Sequence, residues 1–384
     1  MLALITGTRP EIIKMFPVMK QLELEKIDYK YIHTGQHYDS TLSTQFFNEL
    51  DIRHPDYSVK LNERNNSLLQ IAEIKNKITQ ILNNENFTSM LVQGDTNSTL
   101  GAALAGYELN IPIYHIEAGL RSFDLSMQEE RNRIVVDRIS TVLFAPTNES
   151  LSNLHNEHIK GKIFVVGNTV MDAIKLVLEN DKELSRQSIS SSLKMEQIAE
   201  TGYILITLHR AANLENERFL FNLFTSLKQS GLTFVFPMHP HTVKQVKIFG
   251  MEHLLESDNI KTIPPVGYQE FLRLLKGSKF VITDSGGLQE EITSNLINKQ
   301  AVILRPNTER PESITSGHSF LVKEFNVESL ICILDQIYRK LKSKDGLPVP
   351  IIDSPYGIGN SSTKIVHIIK MLSEKPMEVI DHNK

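Results

Sequence analysis

The chain reads as an α/β protein of two domains built on parallel sheets, and three features of its 384 residues lead there. Short β-rich apolar runs alternate with longer stretches of helical period from end to end, the layering that lays helices over parallel strands. The length exceeds what one hydrophobic core normally serves. The polar motifs begin where the apolar runs stop, and in an open α/β sheet ligands sit beyond the carboxyl ends of the strands.

In order, the runs are LALIT, KYIHTG, SMLVQG, IPIYHI, VLFAP and KIFVVG, followed after an interval by YILITLH, TFVFPM, KTIPPV, KFVITD and AVILRP. The interval, residues 180–202, is polar, serine-rich and without an apolar stripe, and marks the linker. Domains are expected over 1–180 and 181–355. Near the end GLPVPIIDSPYGIGN is dense in Pro and Gly, and the amphipathic SSTKIVHIIKMLSE follows with a Ser at its N-cap. Segment 356–384 is expected to return this helix to the first domain.

A formal charge of −4 leaves no electrostatic footprint for a nucleic-acid backbone. Cys332 is the single cysteine, which excludes a disulfide framework and a thiolate metal site and fits a reducing cytoplasm. MLALITGTRPEIIK reads as a strand and a turn rather than a leader, and nowhere do ~18 apolar residues run together. A soluble, cytoplasmic protein with no membrane or nucleic-acid partner is expected.

The strand-end motifs are Thr6-Gly7-Thr8-Arg9, Gly94-Asp95-Thr96-Asn97, Glu117-Ala118-Gly119-Leu120-Arg121, His209-Arg210 and Asp284-Ser285-Gly286-Gly287. Five such motifs from two sheets describe a cleft between domains. Gly286 and Gly287 let backbone N–H groups approach an anion, and a helix start aims its dipole there. Just downstream LRPNTERPE delivers Arg305 and Arg310 as fixed cations.

Each residue also has a plainer reading. Arg9 at a helix start opposes the dipole and calls for an anionic ligand, whereas Lys14 fits a solvated helix face equally well. Asp95 serves as N-cap or as catalytic acid with equal weight on local sequence. Glu117 ends an apolar strand, where Arg121 is a structural partner, or desolvation raises its pKa toward a working value. Glu129 and Glu130 in MQEERNRIVVDR read, on pattern alone, as a solvated helix with partners such as Arg133. His209 lacks the setting of a core histidine. His239 and His241 flank Pro240 without a carboxylate cluster, so no metal is expected.

Together TGTRPEIIK, QGDTNST, HIEAGLRS, EERNR, VGNTVMDAI, TLHRAAN, DSGGLQEE and TERPE resemble the UDP-N-acetylglucosamine 2-epimerase family of non-hydrolysing type, in family order and over most of residues 1–370. The resemblance implies a GT-B architecture, two Rossmann-like domains facing across a cleft, with a homodimeric assembly and no cofactor. By position it makes Asp95, Glu117, Glu130 and His209 catalytic. It puts Arg9, Lys14, Arg210, Phe271, Ser285, Gly286, Gly287, Glu291 and Arg310 on UDP, with Phe271 at the uracil and Glu291 at the ribose. Gln36 and His37 resemble a segment that binds a second UDP-sugar as activator, although Tyr38-Asp39 follow where a basic residue is common. Ala211-Ala212, Gln128 and Asn298-Lys299-Gln300 also depart from the family pattern. The implied activity inverts C2 of UDP-N-acetylglucosamine through elimination and re-addition of UDP. Hydrolytic epimerisation, a related diacetamido sugar, a GT-B glycosyltransferase and a nucleotide-sugar sensor are the alternatives.

Overall fold

The computed structural model describes residues 1–36, 47, 49–63, 66–179, 202–342 and 353–374. The chain divides into two compact units, Met1–Leu176 with Tyr356–Lys384, and Val177–Pro355. The linker expected over 180–202 falls, but for residue 202, outside the described residues, as do His37 and the first part of the Pro/Gly-rich stretch, residues 346–352.

The first unit carries β1 (Leu2–Thr6), α1 (Arg9–Leu24), β2 (Tyr29–His33), β3 (Tyr57–Ser58), α2 (Ser67–Asn84), β4 (Ser89–Gln93) and α3 (Asn97–Glu108). It continues with β5 (Ile113–Ile116), α4 (Gln128–Ile139), β6 (Val142–Ala145), α5 (Asn148–Asn156), β7 (Lys162–Val165) and α6 (Thr169–Glu179). The strands form one parallel sheet in the order β3-β2-β1-β4-β5-β6-β7. Ala3, Ile5, Ile32, Met90 and Val92 pack on Ile71, Ile74 and Ile78 of α2, so the period-2 runs and the helical stripe bury each other.

The second unit carries β8 (Ile204–Thr207), α7 (Ala211–Leu214), α8 (Glu217–Gln229), β9 (Phe234–Pro237), α9 (Pro240–Ile248), α10 (Glu252–Leu255), β10 (Ile260–Ile263) and α11 (Tyr268–Gly277). It ends with β11 (Val281–Thr283), α12 (Gly286–Glu291), β12 (Ala301–Leu304), α13 (Pro311–Thr315), β13 (Ser319–Val322) and α14 (Val327–Lys342). This sheet is also parallel, in the order β10-β9-β8-β11-β12-β13. Its core joins Ile204, Ile206, Phe234, Phe236, Phe280, Ile282 and Val302 to Leu330 and Leu334 of α14.

Two short strands, β3 and β13, lie outside the runs read from sequence; both sit at sheet edges, where pairing rather than an apolar run defines them. The last helix, α15 (Ser361–Glu374), packs on α1 in the first unit. Its N-terminus is not capped by its own serine as expected. The Asp172 carboxylate of α6 accepts the Ser361 and Ser362 N–H groups at 3.1 and 2.9 Å, which leaves the two serines inside the first turn. Cys332 on α14 is exposed. Among the described residues no helix is long and apolar enough to cross a membrane.

Each sheet reverses its strand order once, between β1 and β4 in the first and between β8 and β11 in the second. Such a reversal opens a crevice at the carboxyl ends of the flanking strands. At the first, Gly7 has no room for a side chain: a Cβ would lie 1.9 Å from Ser98 Oγ and 2.3 Å from Thr34 Oγ1. Gly7→Ala should therefore push the loops after β1 and β4 apart and lower the unfolding free energy by about 1–3 kcal/mol, measured by urea denaturation; an unchanged midpoint would show that the crevice has slack.

Candidate active site

At the β1/β4 reversal the Glu11 carboxylate is buried and ties the two loops together. One oxygen accepts the Gly7 and Thr8 N–H groups, the latter at 2.9 Å, and the other accepts the hydroxyls of Thr96 and, at 3.0 Å, Thr99. The N-cap of α3 is Thr96, whose Oγ1 accepts from Thr99 N at 3.2 Å, so Asp95 is not the cap. Its carboxylate instead meets Arg133 of α4, and its carbonyl accepts Asn132 Nδ2 at 2.9 Å. Gln36 reaches the same helix start, its Oε1 accepting Ser98 N at 3.0 Å and Ser98 Oγ at 2.7 Å.

Three plainer readings fail in the next strand-end loops. Glu117 pairs with Lys14, not with Arg121, and also accepts Gln93 Nε2 at 3.0 Å and Asn168 Nδ2 at 3.4 Å. Lys14 is buried rather than solvated, because α1 turns it under the sheet's carboxyl edge. Arg121 joins Asp137 at 2.7 Å and Glu157 at 2.6 Å. Glu129 is exposed, but Glu130 is fully buried; its carboxylate holds Arg133 at 2.6 Å and the Ser122 and Phe123 N–H groups at 3.0 Å. The pattern missed this because the loop that covers it closes from β5. Arg9 is exposed at the start of α1.

In the second unit the β8/β11 reversal is organised by Asp284, fully buried. Its carboxylate accepts the backbone N–H groups of His209 and Arg210, each at 3.1 Å, and Asn213 Nδ2 at 3.1 Å, with His209 Nδ1 at 3.3 Å. The His209 side chain is 52% exposed. Desolvation among its neighbours, with Arg210 and Arg305 adding and Asp284 opposing, holds the imidazole below the usual histidine range.

Ser285 caps α12, and Gly286 and Gly287 are its first two residues, whose N–H groups have no acceptor within the helix. Arg310 lies against the first of them: a Cβ at Gly286 would sit 2.6 Å from Arg310 Nη1, whereas at Gly287 it would meet no atom within 4 Å. The Arg310 guanidinium is held by Glu290 at 2.8 Å and Glu309 at 2.5 Å, and Arg305 holds the other Glu309 oxygen at 2.7 Å. Against the desolvation of burial, Arg310, Arg305 and the looser Arg210 keep Glu309 well below the usual carboxylate range. Arg305 Nε and Nη1 are buried without an acceptor among the described residues. Glu291 accepts the Tyr268 hydroxyl at 3.2 Å, and half-buried Phe271 lies one turn along α11.

The predicted residues thus gather into two clusters, Arg9, Lys14, Gln36, Asp95, Glu117 and Glu130 in one unit, and His209, Arg210, Phe271, Ser285, Gly286, Gly287, Glu291 and Arg310 in the other. Glu11, Asp284, Glu290 and Glu309 hold them in place and carried no assigned role. A T-x-x-E capping-box reading of TRPE could have flagged Glu11. His239 caps α9, its Nδ1 accepting His241 N at 3.3 Å, and no group of three or more metal-ligating side chains occurs among the described residues.

A family model described as UDP-N-acetylglucosamine 2-epimerase matches residues 20–370. The chain belongs to the UDP-N-acetylglucosamine 2-epimerase family. Family members are isomerases, so the chain is an enzyme of that class, and its paired parallel sheets have the GT-B fold. It is 41% identical over 378 residues to UDP-N-acetylglucosamine 2-epimerase of Methanococcus maripaludis, covering 96% of this chain and 98% of that protein. The crystal structure of the Methanocaldococcus jannaschii UDP-GlcNAc 2-epimerase in complex with UDP-GlcNAc and UDP is 38% identical, covers 96% of this chain and 99% of that one, and superposes with a TM-score of 0.83. The chain is also 34% identical, over 96% of its length and 99% of that protein's, to UDP-2,3-diacetamido-2,3-dideoxy-D-glucuronate 2-epimerase of Pseudomonas aeruginosa.

Burial lifts the Glu11 carboxyl to about 6 from an ordinary 4.5, against the pull of its four hydrogen bonds. An acid raised in the fold stabilises it fully below the unfolded value and loses that contribution as pH climbs through about 6. Glu11→Gln removes the titration. Between about pH 4 and about pH 7.5 the wild type should lose about 2 kcal/mol of unfolding free energy relative to the variant, read by urea denaturation; parallel behaviour of the two proteins would mean that Glu11 ionises as freely as in the unfolded chain.

Proposed function

We propose that the chain is a non-hydrolysing epimerase interconverting UDP-N-acetylglucosamine and UDP-N-acetylmannosamine. The observation that carries this reading is that each cluster stands at the strand-order reversal of its own sheet, the position at which α/β folds bind nucleotides. The second unit would hold UDP. Ser285, Gly286 and Gly287 present N–H groups to the diphosphate, with Arg210 and Arg310 as its cations, while Phe271 meets the uracil and Glu291 the ribose. Arg9 and Lys14 are the further residues that the family resemblance assigns to UDP.

The chemistry asked of these groups is an elimination. A carboxylate removes the C2 proton, the C1–O bond to UDP breaks, and a 2-acetamidoglucal remains. UDP then adds back at C1 while an acid delivers a proton to the opposite face of C2. The C2 proton has little intrinsic acidity, so departure of a stabilised diphosphate must carry the step, and a well-placed donor contributes roughly 3 to 4 kcal/mol to such stabilisation. Asp95 and Glu117 supply the proton transfers, with His209 beside the leaving group. The enzyme would work as a cytoplasmic homodimer that supplies a precursor for surface polysaccharide, with Gln36 and His37 taking a second UDP-sugar as activator.

One specific relative favours a second reading. Similarity to the Pseudomonas aeruginosa enzyme fits a diacetamido uronic acid as the sugar. Incubation with UDP-N-acetylglucosamine in D₂O, followed by NMR, decides: deuterium at C2 with UDP attached is expected, free sugar would mean hydrolysis, and no exchange would point to another sugar.

Asp95→Asn and Glu117→Gln should each lower turnover by roughly 10² to 10⁴ while UDP affinity is kept; undiminished turnover in both would end their role. Gly287→Ala should fold normally, since its Cβ enters open space, yet bind UDP at least about tenfold more weakly in calorimetry if a phosphate closes on that backbone. Wild-type affinity in that variant would move the diphosphate elsewhere.

A further inference from the structure

Glu130 and Arg133 share one face of α4, three residues apart. The Glu130 carboxylate is fully buried and occupied from three sides, by Arg133 Nη1 at 2.6 Å and by the Ser122 and Phe123 N–H groups at 3.0 Å. Phe123 has a φ of 58°, a left-handed backbone that an aromatic residue adopts only when its surroundings impose it, and Glu130 is one of the groups imposing it. Both Glu130 oxygens are thus already engaged, Oε2 by Arg133 and Ser122 and Oε1 by Phe123. Asp95 differs: 23% of its side chain is exposed, and Arg133 Nη2 holds its Oδ2 while Asn132 Nδ2 holds its carbonyl.

We propose that Glu130 is a positioning residue rather than a proton carrier, fixing Arg133 so that its second guanidinium nitrogen holds the Asp95 carboxylate at the end of β4, and that Asp95 is the one of these two acids that meets the sugar. The proposal rests on the epimerase reading. Gln128 Nε2 donates to Asn132 Oδ1 at 2.7 Å and so aims the same amide at Asp95.

The charge arrangement has a readable consequence. One cation, Arg133, lies between two anions, Asp95 and Glu130. Replacing Arg133 by a neutral residue takes away the positive charge beside Asp95, and replacing Glu130 by Gln takes away the negative charge that shares it. Other ionisable groups surround the loop. Glu11 binds the adjacent Thr96; His115 bonds Gly94 O at 2.8 Å and Asp137 at 2.8 Å, with Arg121 behind; Lys14 and Glu117 stand at the end of β5; Glu129 and Arg131 flank the pair on α4. All are unchanged in the variants below, so their influence is common to every profile.

The test is the pH profile of turnover for the full chain on UDP-N-acetylglucosamine, with C2 deuteration in D₂O as the readout and calorimetric UDP affinity as the control. Arg133→Met should move the acid limb to higher pH, and Glu130→Gln should move it to lower pH with turnover down about tenfold. Asp95→Asn should lose roughly 10² to 10⁴ at every pH. UDP affinity should hold in all three. Glu130→Gln as inactive as Asp95→Asn throughout, or an Arg133→Met limb that stays in place, would overturn the positioning role. If Arg133→Met fails to fold, Arg133→Lys keeps the charge but reaches one carboxylate, and should retain the limb at reduced turnover; unreduced turnover there would equally overturn the proposal. A wild-type chain without C2 exchange would instead overturn the epimerase reading itself.

Discussion

Two buried carboxylates determine where everything else at the strand ends can stand. Glu11 accepts the Gly7 and Thr8 N–H groups and the Thr96 and Thr99 hydroxyls; Asp284 accepts the His209 and Arg210 N–H groups and the Asn213 amide. Each spans the two loops at the reversal of its sheet. A parallel sheet ends in loops whose backbone donors would otherwise be orphaned as the chain turns away, and a carboxylate has the acceptor sites to satisfy several at once. Loops fixed in this way can carry Arg9, Asp95, His209 and the serine-diglycine turn in defined positions without a strand beneath them.

The cations of the second unit follow a related logic. Arg310 lies between Glu290 and Glu309, and Glu309 is shared with Arg305 and loosely with Arg210. Three guanidinium groups thus surround two carboxylates, and a buried arrangement of this kind holds only when every member is present. Loss of Glu309 would leave Arg305 and Arg310 facing each other in a low dielectric. The surplus positive charge stands beside the first N–H groups of α12, where helix dipole and cation act together on an anion. The absence of a side chain at Gly286 is what admits the Arg310 guanidinium to that place.

Much of the fold was legible in the sequence, because buried parallel strands are continuous apolar runs and nothing else in the chain looks like them. The runs from LALIT to AVILRP correspond to strands, and the motifs at their ends lie on the loops that carry both clusters. The edge strands were not legible: Tyr57–Ser58 is two residues long, and Ser319–Val322 is only partly buried beyond its first residue. Partners were harder still. Pairing Glu117 with Arg121, or placing Glu130 on a solvated face, follows from spacing along the chain, whereas the true partners come from other elements, Lys14 from 103 residues away and Ser122 from a loop folded back over α4. Local pattern predicts a helix face, but tertiary closure decides whether that face is wet.

Glu117 shows what the arrangement costs. It has a φ of 70° at the end of β5, where glycine would be comfortable and a carboxylate-bearing residue is strained by about 1–3 kcal/mol. Two residues on, Gly119 takes a φ of 84°, with its N–H on the Asp137 carboxylate at 3.2 Å and its carbonyl on Asn153 Nδ2 at 3.0 Å. Those bonds, with Lys14, Gln93 and Asn168 on the Glu117 side chain, over-determine the turn and make the strained backbone the only one that satisfies its neighbours. A glycine at 117 would relax the chain but remove the one acid at that strand end, leaving Lys14 buried without its carboxylate. The strain and the buried ion pair thus have a single origin, the placing of a carboxylate where the strand has stopped and the helix has not begun.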